Sequence, residues 1–196
     1  MPERKAGVTR ETKETAVRVA LNLDGTGRFS GGIGVGFFEH MLELLARFAL
    51  FNLEVTAQGD LRVDAHHTVE DVGITMGQAF AQALGEKEGI RRFGDAVVPM
   101  DEALVLAAVD LSGRGSLSFT GRLPASRVGD FDTELVPEFF RAFAVNAGIT
   151  LHLRVFSGRN THHIIEALFK ACGRALGEAV SRDPRVEGVP STKGKL

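Results

Sequence analysis

The sequence predicts an α+β fold made of two similar halves, each combining a layer of β-sheet with a layer of helices. Three observations support this prediction. The motif HHTVE at 66–70 recurs as HHIIE at 162–166, 96 positions later in a chain of 196 residues. The segment DGTGR at 24–28 recurs as DLSGR at 110–114, each time after an alternating apolar run. Strand-like and helix-like segments follow the same order in both halves, so internal duplication is the simplest explanation.

The first half is predicted to contain strands and two helices. Apolar residues alternate with polar or small ones over 17–23, and the Asp-Gly pair that follows is typical of a tight turn, which predicts a hairpin with the next strand. Further strands are expected at 53–57 and 61–64. The segment 37–48 has the wide apolar face of a helix, and apolar residues at three- and four-residue steps after 66–70 predict a second helix.

The second half is predicted to repeat this order. Strands are expected near 103–109, 116–120 and 149–155, with a helix around Phe139 and another helix at 162–166 and beyond. Because no linker separates the halves, one catalytic domain is expected over residues 1–196. Its predicted parts are repeats at about 1–97 and 98–187 and a tail at 188–196.

Composition describes a soluble globular protein, with 44% apolar residues and a formal net charge of -2. The balance of 23 basic and 25 acidic residues gives no net field to attract nucleic acid or an anionic membrane, and neither is expected as a partner. The N-terminal residues 1–5 lack the apolar core of a signal peptide, so a cytoplasmic location is expected. The single cysteine, Cys172, lies in a helical pattern and is predicted to pack in the core.

The two His-His motifs, named motif 1 (66–70) and motif 2 (162–166), are predicted to bind metal ions. Adjacent side chains on a helix diverge by about 100°, so one ion has difficulty accepting both imidazoles, and each pair should serve two metals. The glutamate of each motif falls between its histidines, and all three side chains are expected to face protein rather than solvent. Imidazole with carboxylate suits zinc, manganese and iron, and two glutamates favour manganese. The competing interpretation is a buried polar patch or surface histidines that take up metal adventitiously.

Pseudo-symmetry suggests one further ligand in each half. His40 lies on the helix at 37–48, at the border of its apolar and polar faces. The corresponding position in the second half holds Glu138, next to Phe139. His152 is the alternative, although its alternation with two leucines could direct it to solvent or to another subunit.

These residues resemble the imidazoleglycerol-phosphate dehydratase family along almost the whole chain. The resemblance rests on both His-His motifs and on RETKET (10–15), FEHML (38–42), DAHHTVED (64–71), GIRRF (89–93), DLSGR (110–114) and PSTKG (190–194). It implies halves similar to domain 2 of ribosomal protein S5, two manganese ions per active site, and a 24-subunit assembly with active sites between subunits.

The resemblance also implies a role for each matching residue. One ion would be bound by His40, His67, Glu70 and His162, and the second by His66, Glu138, His163 and Glu166. Glu14 would be the acid/base and would contact substrate, with Glu70 and Glu166 also in the catalytic centre; the other substrate contacts would be Arg92, Arg114, Lys170, Ser191 and Lys193. The chain departs from the family where Glu138 replaces a commoner histidine, Leu44 a glutamine and Phe48 a histidine.

The activity implied is dehydration of imidazole glycerol phosphate to imidazole acetol phosphate in histidine biosynthesis. The hypothesis is that both ring nitrogens of the substrate bind the two ions, which stabilises an imidazolate while hydroxide leaves and Glu14 shuttles the proton. The tail at 188–196 is expected to order over the bound phosphate. Two alternatives remain open: a metal-dependent hydrolase or deaminase, and a non-enzymatic metal-binding oligomer.

Overall fold

The computed structural model describes residues 3–196, and Met1 and Pro2, which begin the run considered for a signal peptide, lie outside them. The elements in chain order are β1 Lys5–Glu11, β2 Thr15–Asn22, β3 Phe29–Gly32, α1 Gly36–Ala49, β4 Asn52–Gly59, α2 His66–Leu84, β5 Phe93–Met100, β6 Ala103–Asp110, β7 Ser116–Thr120, β8 Arg127–Val128, β9 Phe131–Asp132, α3 Leu135–Ala147, β10 Thr150–Ser157 and α4 Thr161–Val180. Among these, no helix combines the length and the apolarity needed to cross a bilayer.

The strands form two four-stranded sheets of identical topology. Sheet 1 has the order β1-β2-β4-β3 and sheet 2 the order β5-β6-β10-β7. In each sheet one edge strand, β3 or β7, runs parallel to its neighbour, whereas the other pairs are antiparallel. This repeated order confirms the predicted α+β fold with two similar halves.

The hairpin predicted after β2 is wrong. β2 already pairs with β1 on one side and with β4 on the other, as the register pairs Val8↔Val19 and Val19↔Val55 show. Because both edges of β2 are occupied, β3 is placed at the far edge, where it runs parallel to β4. The strand predicted at 61–64 is also wrong, since these residues form a turn before α2.

The second sheet begins earlier than the sequence suggested. β5 spans Phe93–Met100 and was not predicted, so the expected boundary near residue 97 falls inside a strand. β5 is an edge strand and has a neighbouring strand on one side only. Such a strand tolerates Pro99, whose nitrogen has no hydrogen to donate to a second neighbour.

The helices form two layers between the sheets. α2 packs on sheet 1 and against α3, whereas α4 packs on sheet 2 and against α1, so the halves meet through helix-helix contacts. Glycines allow this close approach: a Cβ atom at Gly77 would lie 2.7 Å from the carbonyl oxygen of Phe143, and one at Gly177 would lie 2.8 Å from that of Ala49. Cys172 is fully buried here, which confirms its predicted packing role, and burial raises the pKa of its thiol.

Candidate active site

Both motifs stand at the N-terminus of a helix, as predicted. The backbone N–H of His66 donates to the Asp64 carboxylate at 2.7 Å, and that of His162 donates to the Asn160 side chain at 2.9 Å. An oxygen-bearing side chain two residues upstream therefore accepts from a backbone amide at the start of α2 and of α4. Asn160 is the N-cap residue of α4, whereas Ala65, the N-cap residue of α2, offers no side-chain cap. In both helices the adjacent histidines lie in the first turn.

The rings of each histidine pair diverge, also as predicted. The centroids of His66 and His67 are 6.1 Å apart with an interplanar angle of 89°. The values for His162 and His163 are 6.3 Å and 87°. Rings so oriented present their nitrogens in different directions, so each pair is suited to two separate partners rather than to one.

The prediction that the motif side chains face protein is wrong for most of them. His66, His67 and Glu70 are only partly buried, whereas Thr68 and Val69 are fully buried. The core stripe of α2 passes through residues 68, 69, 72 and 76, which leaves the potential ligands on its flank. In motif 2, Glu166 is 8% exposed, but both histidines remain partly accessible.

A carboxylate orients one histidine in each pair. Nδ1 of His67 lies 3.0 Å from Asp60, and Nδ1 of His163 lies 2.8 Å from Glu102. These contacts raise the pKa of both imidazoles. The His163 contact and the backbone amides of Asn160 and Arg159 lower the pKa of Glu102 to about 2.

Neither Asp60 nor Glu102 was predicted as part of the site. Asp60 directly follows β4 and Glu102 lies in the turn between β5 and β6, so only the fold brings each beside a histidine. A carboxylate on Nδ1 is the usual arrangement of histidines that bind metal through Nε2, and Nε2 of His163 lies 3.4 Å from the side-chain nitrogen of Asn160. The donor set therefore fits divalent cations.

The remaining candidate ligands form two clusters. In the α2–α3 cluster (Glu70, Glu138 and Arg141), Arg141 donates to Glu70 at 3.0 Å and to Glu138 at 2.6 Å. In the α1–α4 cluster (His40, His162, Glu166 and Lys170), one Glu166 oxygen lies 3.1 Å from His162 and 4.0 Å from His40, while the other lies 2.6 Å from Lys170. Each cluster joins one motif to a helix of the opposite half.

Glu138 and His152 occupy very different positions. His40 and Glu138 both lie ten residues before the left-handed residue that ends their helix, Leu50 or Gly148, so they are structural equivalents. His152 lies in the middle of β10 and is exposed on the sheet face away from the helices. Within residues 3–196, no three histidine, cysteine or acidic side chains converge closely enough to hold a metal ion.

Two basic residues of the resemblance, Arg92 and Arg114, lie elsewhere in the same chain. Arg92 donates to Asp110 at 2.7 Å and to the carbonyl oxygen of Pro190 at 2.9 Å, and Arg114 approaches Asp110 at 4.0 Å. This group stands where β5 begins and β6 ends, whereas Glu102 and motif 2 lie at the other end of sheet 2. Arg92 and Arg114 therefore do not surround the motifs within one chain, whereas Lys170 lies beside Glu166 of motif 2.

The C-terminal tail and Glu14 have defined neighbours. The backbone N–H of Lys193 donates to the Ser191 hydroxyl at 3.2 Å, and the tail passes Arg92 at Pro190. Glu14 is exposed in the turn between β1 and β2, with a carboxylate oxygen 3.8 Å from Nδ1 of His67. Glu14 is thus adjacent to motif 1, while the tail is adjacent to the Arg92 group.

Fold and site together define a class of protein: a duplicated α+β chain whose halves each offer two diverging imidazoles, a motif glutamate and a further ligand-type side chain from a neighbouring helix. The comparisons with known proteins name this class. The sequence model of the imidazoleglycerol-phosphate dehydratase family matches residues 33–176, and the chain belongs to that family.

Similar proteins extend this match to the whole chain. The imidazoleglycerol-phosphate dehydratase of Acetivibrio thermocellus is 60% identical over 194 residues, covering 99% of this chain and 100% of that protein. That of Symbiobacterium thermophilum is 61% identical, covering 100% and 94%. The crystal structure of the Staphylococcus aureus enzyme superposes with a TM-score of 0.83 at 41% sequence identity, covering 91% of this chain and 99% of that one. The Pyrococcus furiosus enzyme, in complex with (S)-C348, superposes with a TM-score of 0.82 at 36% identity, covering 96% of this chain and 100% of that one. The family belongs to histidine biosynthesis, and the hydrolase and metal-storage alternatives receive no support.

Proposed function

We propose that this chain dehydrates imidazole glycerol phosphate to imidazole acetol phosphate, as a cytoplasmic lyase of histidine biosynthesis. The observation that carries the proposal is the full-length identity of about 60% to proteins named for this reaction, together with both His-His motifs. The paired and diverging imidazoles give the chemical reason, because a substrate with two ring nitrogens suits two neighbouring cations.

The proposed cofactor is a pair of Mn²⁺ ions in each active site. One ion would be held by His40, His67, Glu70 and His162, and the other by His66, Glu138, His163 and Glu166. The carboxylates that orient His67 and His163 support this assignment, as does the mixed imidazole and carboxylate donor set. When bound, the ions would supply Lewis acidity to the substrate ring.

The active sites are proposed to form between subunits of a 24-subunit assembly. Each proposed ligand set is divided between motif 1 with its α2–α3 cluster and motif 2 with its α1–α4 cluster, and within residues 3–196 neither set is gathered into a group that could hold a metal ion. The partial exposure of His66, His67 and Glu70 leaves them accessible to another copy of the chain. A second subunit could thus complete the set that one chain begins.

The substrate phosphate is proposed to bind Arg92 and Arg114, with Lys170, Ser191 and Lys193 as further substrate contacts. Guanidinium groups suit a phosphate dianion because their planar N–H donors match pairs of phosphate oxygens. Asp110 holds the Arg92 guanidinium in place, and the tail passes beside it at Pro190, which supports a role for 188–196 in covering the phosphate. Arg92, Arg114 and the tail lie apart from the motifs within one chain, which supports a contribution from a second subunit, whereas Lys170 lies beside Glu166 of motif 2.

Glu14 is proposed to move the proton. Its carboxylate oxygen would take the proton from the substrate carbon and deliver it to the departing hydroxyl group. Glu14 lies beside motif 1, with a carboxylate oxygen 3.8 Å from Nδ1 of His67, which supports a place for it near the proposed metal ligands.

The test is Glu14→Gln, with Glu11→Gln as the control because Glu11 is an exposed carboxylate at the end of β1. We expect Glu14→Gln to retain the Mn²⁺ content of the parent protein, measured by elemental analysis, and to lose turnover of imidazole glycerol phosphate. Glu11→Gln should retain both. Unchanged turnover in Glu14→Gln would remove Glu14 from the mechanism, and a parent protein without turnover would overturn the proposed function.

A further inference from the structure

Arg141 makes an unusual set of contacts for a surface arginine. Its guanidinium donates to Glu70 at 3.0 Å and to Glu138 at 2.6 and 3.0 Å, so it lies between carboxylates from two helices and from both halves of the chain. Both glutamates are proposed ligands, one for each metal ion. A cation that is part of the protein therefore already contacts two groups that are proposed to bind metal.

Comparison of the two halves shows that the arginine occurs beside a glutamate and not beside the equivalent histidine. His40 and Glu138 are structural equivalents, and the residue three positions later is Glu43 in the first half and Arg141 in the second. Glu43 lies 3.7 Å from Nδ1 of His40. The neighbour is thus acidic where the candidate ligand is a histidine and basic where it is a glutamate.

Charge explains this difference. Two carboxylates held side by side repel each other unless a cation lies between them. Glu70 and Glu138 are each about one third exposed, so water screens only part of this repulsion. Glu166 in the other cluster is likewise paired with a cation, Lys170 at 2.6 Å. Both motif glutamates are therefore neutralised by residues of the chain itself.

We propose that Arg141 is a built-in counter-ion, which neutralises Glu70 and Glu138 in the subunit before metal binds and then yields both carboxylates to divalent cations. This inference rests on the proposed function. A guanidinium stays protonated in proteins, so Arg141 can yield only by moving away, and its half-exposed side chain has solvent beside it. Its removal should make the metal-free protein less stable and make metal binding tighter.

The experiment uses the full-length chain with Arg141→Gln, Arg141→Lys and the control Arg91→Gln. The side chain of Arg91 is 47% exposed, close to the 50% of Arg141. Arg91 also pairs with a glutamate of a helix, Glu178, but it lies away from both motifs. The probe is Mn²⁺ alone, titrated against a competing chelator. Thermal unfolding is measured in excess chelator.

We expect Arg141→Gln to bind Mn²⁺ roughly threefold to tenfold more tightly than the parent, the size expected for a partly exposed charge pair, and to have a lower Tm in chelator. Arg141→Lys should stay close to the parent in affinity because it retains the charge, and Arg91→Gln should leave the affinity unchanged.

Weaker or unchanged Mn²⁺ binding by Arg141→Gln would overturn the inference, since a residue that only positions the ligands would weaken binding when removed. Equal tightening by Arg141→Lys and Arg141→Gln would overturn it too, because charge would then not be the cause. If neither the parent nor Arg91→Gln took up Mn²⁺, the proposed metal site itself would fail, independently of Arg141.

Discussion

Gly77 on α2 sets the spacing between the two halves where α2 meets α3. A Cβ atom at this position would lie 2.7 Å from the carbonyl oxygen of Phe143, 2.8 Å from Cβ of Asn146 and 2.9 Å from the backbone nitrogen of Ala147. Two of these atoms belong to the α3 backbone and cannot rotate aside, so Gly77→Ala must push the helices apart. Overpacking of this kind costs about 1–3 kcal/mol, whereas the higher helix propensity of alanine returns only about 1 kcal/mol.

We therefore expect Gly77→Ala to lose up to about 2 kcal/mol of stability, or up to roughly 8 °C in Tm for a domain of this length. Urea and thermal unfolding at fixed protein concentration measure the change. The control is Gly36→Ala, at the first residue of α1, where an added Cβ meets no atom within 4 Å. If Gly77→Ala were as stable as Gly36→Ala, the argument that close helix contact joins the halves would be refuted.

Two further predictions concern single ionisable groups. The Arg4 guanidinium lowers the pKa of Asp24 below its ordinary value of 3.8, so the pair stabilises the fold above that value and loses its contribution as pH falls through the lowered pKa. The stability difference between the parent and Asp24→Asn should be at most about 1 kcal/mol, because the Asp24 carboxylate is half exposed. This difference should be constant near neutral pH and shrink in acid. A stability difference that grew in acid would contradict the prediction. Because burial raises the pKa of the Cys172 thiol, iodoacetamide should modify it in urea but not in the native protein, as mass spectrometry would detect.

The duplication and the helices were predictable because they depend on local patterns. Repeated sequence identifies repeated structure, and wide apolar faces identify helices such as α1 and α3. The two motifs were placed correctly at helix starts for the same reason. Such a pattern depends only on residues that are close together in the sequence.

The unpredicted strands are those with weak local patterns. β1 and β5 are both edge strands: β1 has no fully buried residue, and β5 contains glycine, aspartate and proline, which are depleted in strands. The wrong hairpin after β2 has a different cause, because sequence periodicity carries no information on which strands become neighbours. Leu61 and Val63 alternate with polar residues as a strand would, yet both are exposed in a turn.

The direction of the motif side chains was mispredicted for a reason that bears on function. An apolar stripe identifies the face of a helix that is buried in its own chain, whereas His66, His67 and Glu70 lie beside that stripe, where one chain leaves them partly open. His66 and His67 stand at the start of α2, and Asp60 orients His67, so these polar groups are held in place while they remain partly accessible. The same holds for the basic residues around Asp110, which lie far along sheet 2 from motif 2. A single folded chain thus presents two separate parts of the proposed site, in agreement with the proposal that a second copy contributes to it.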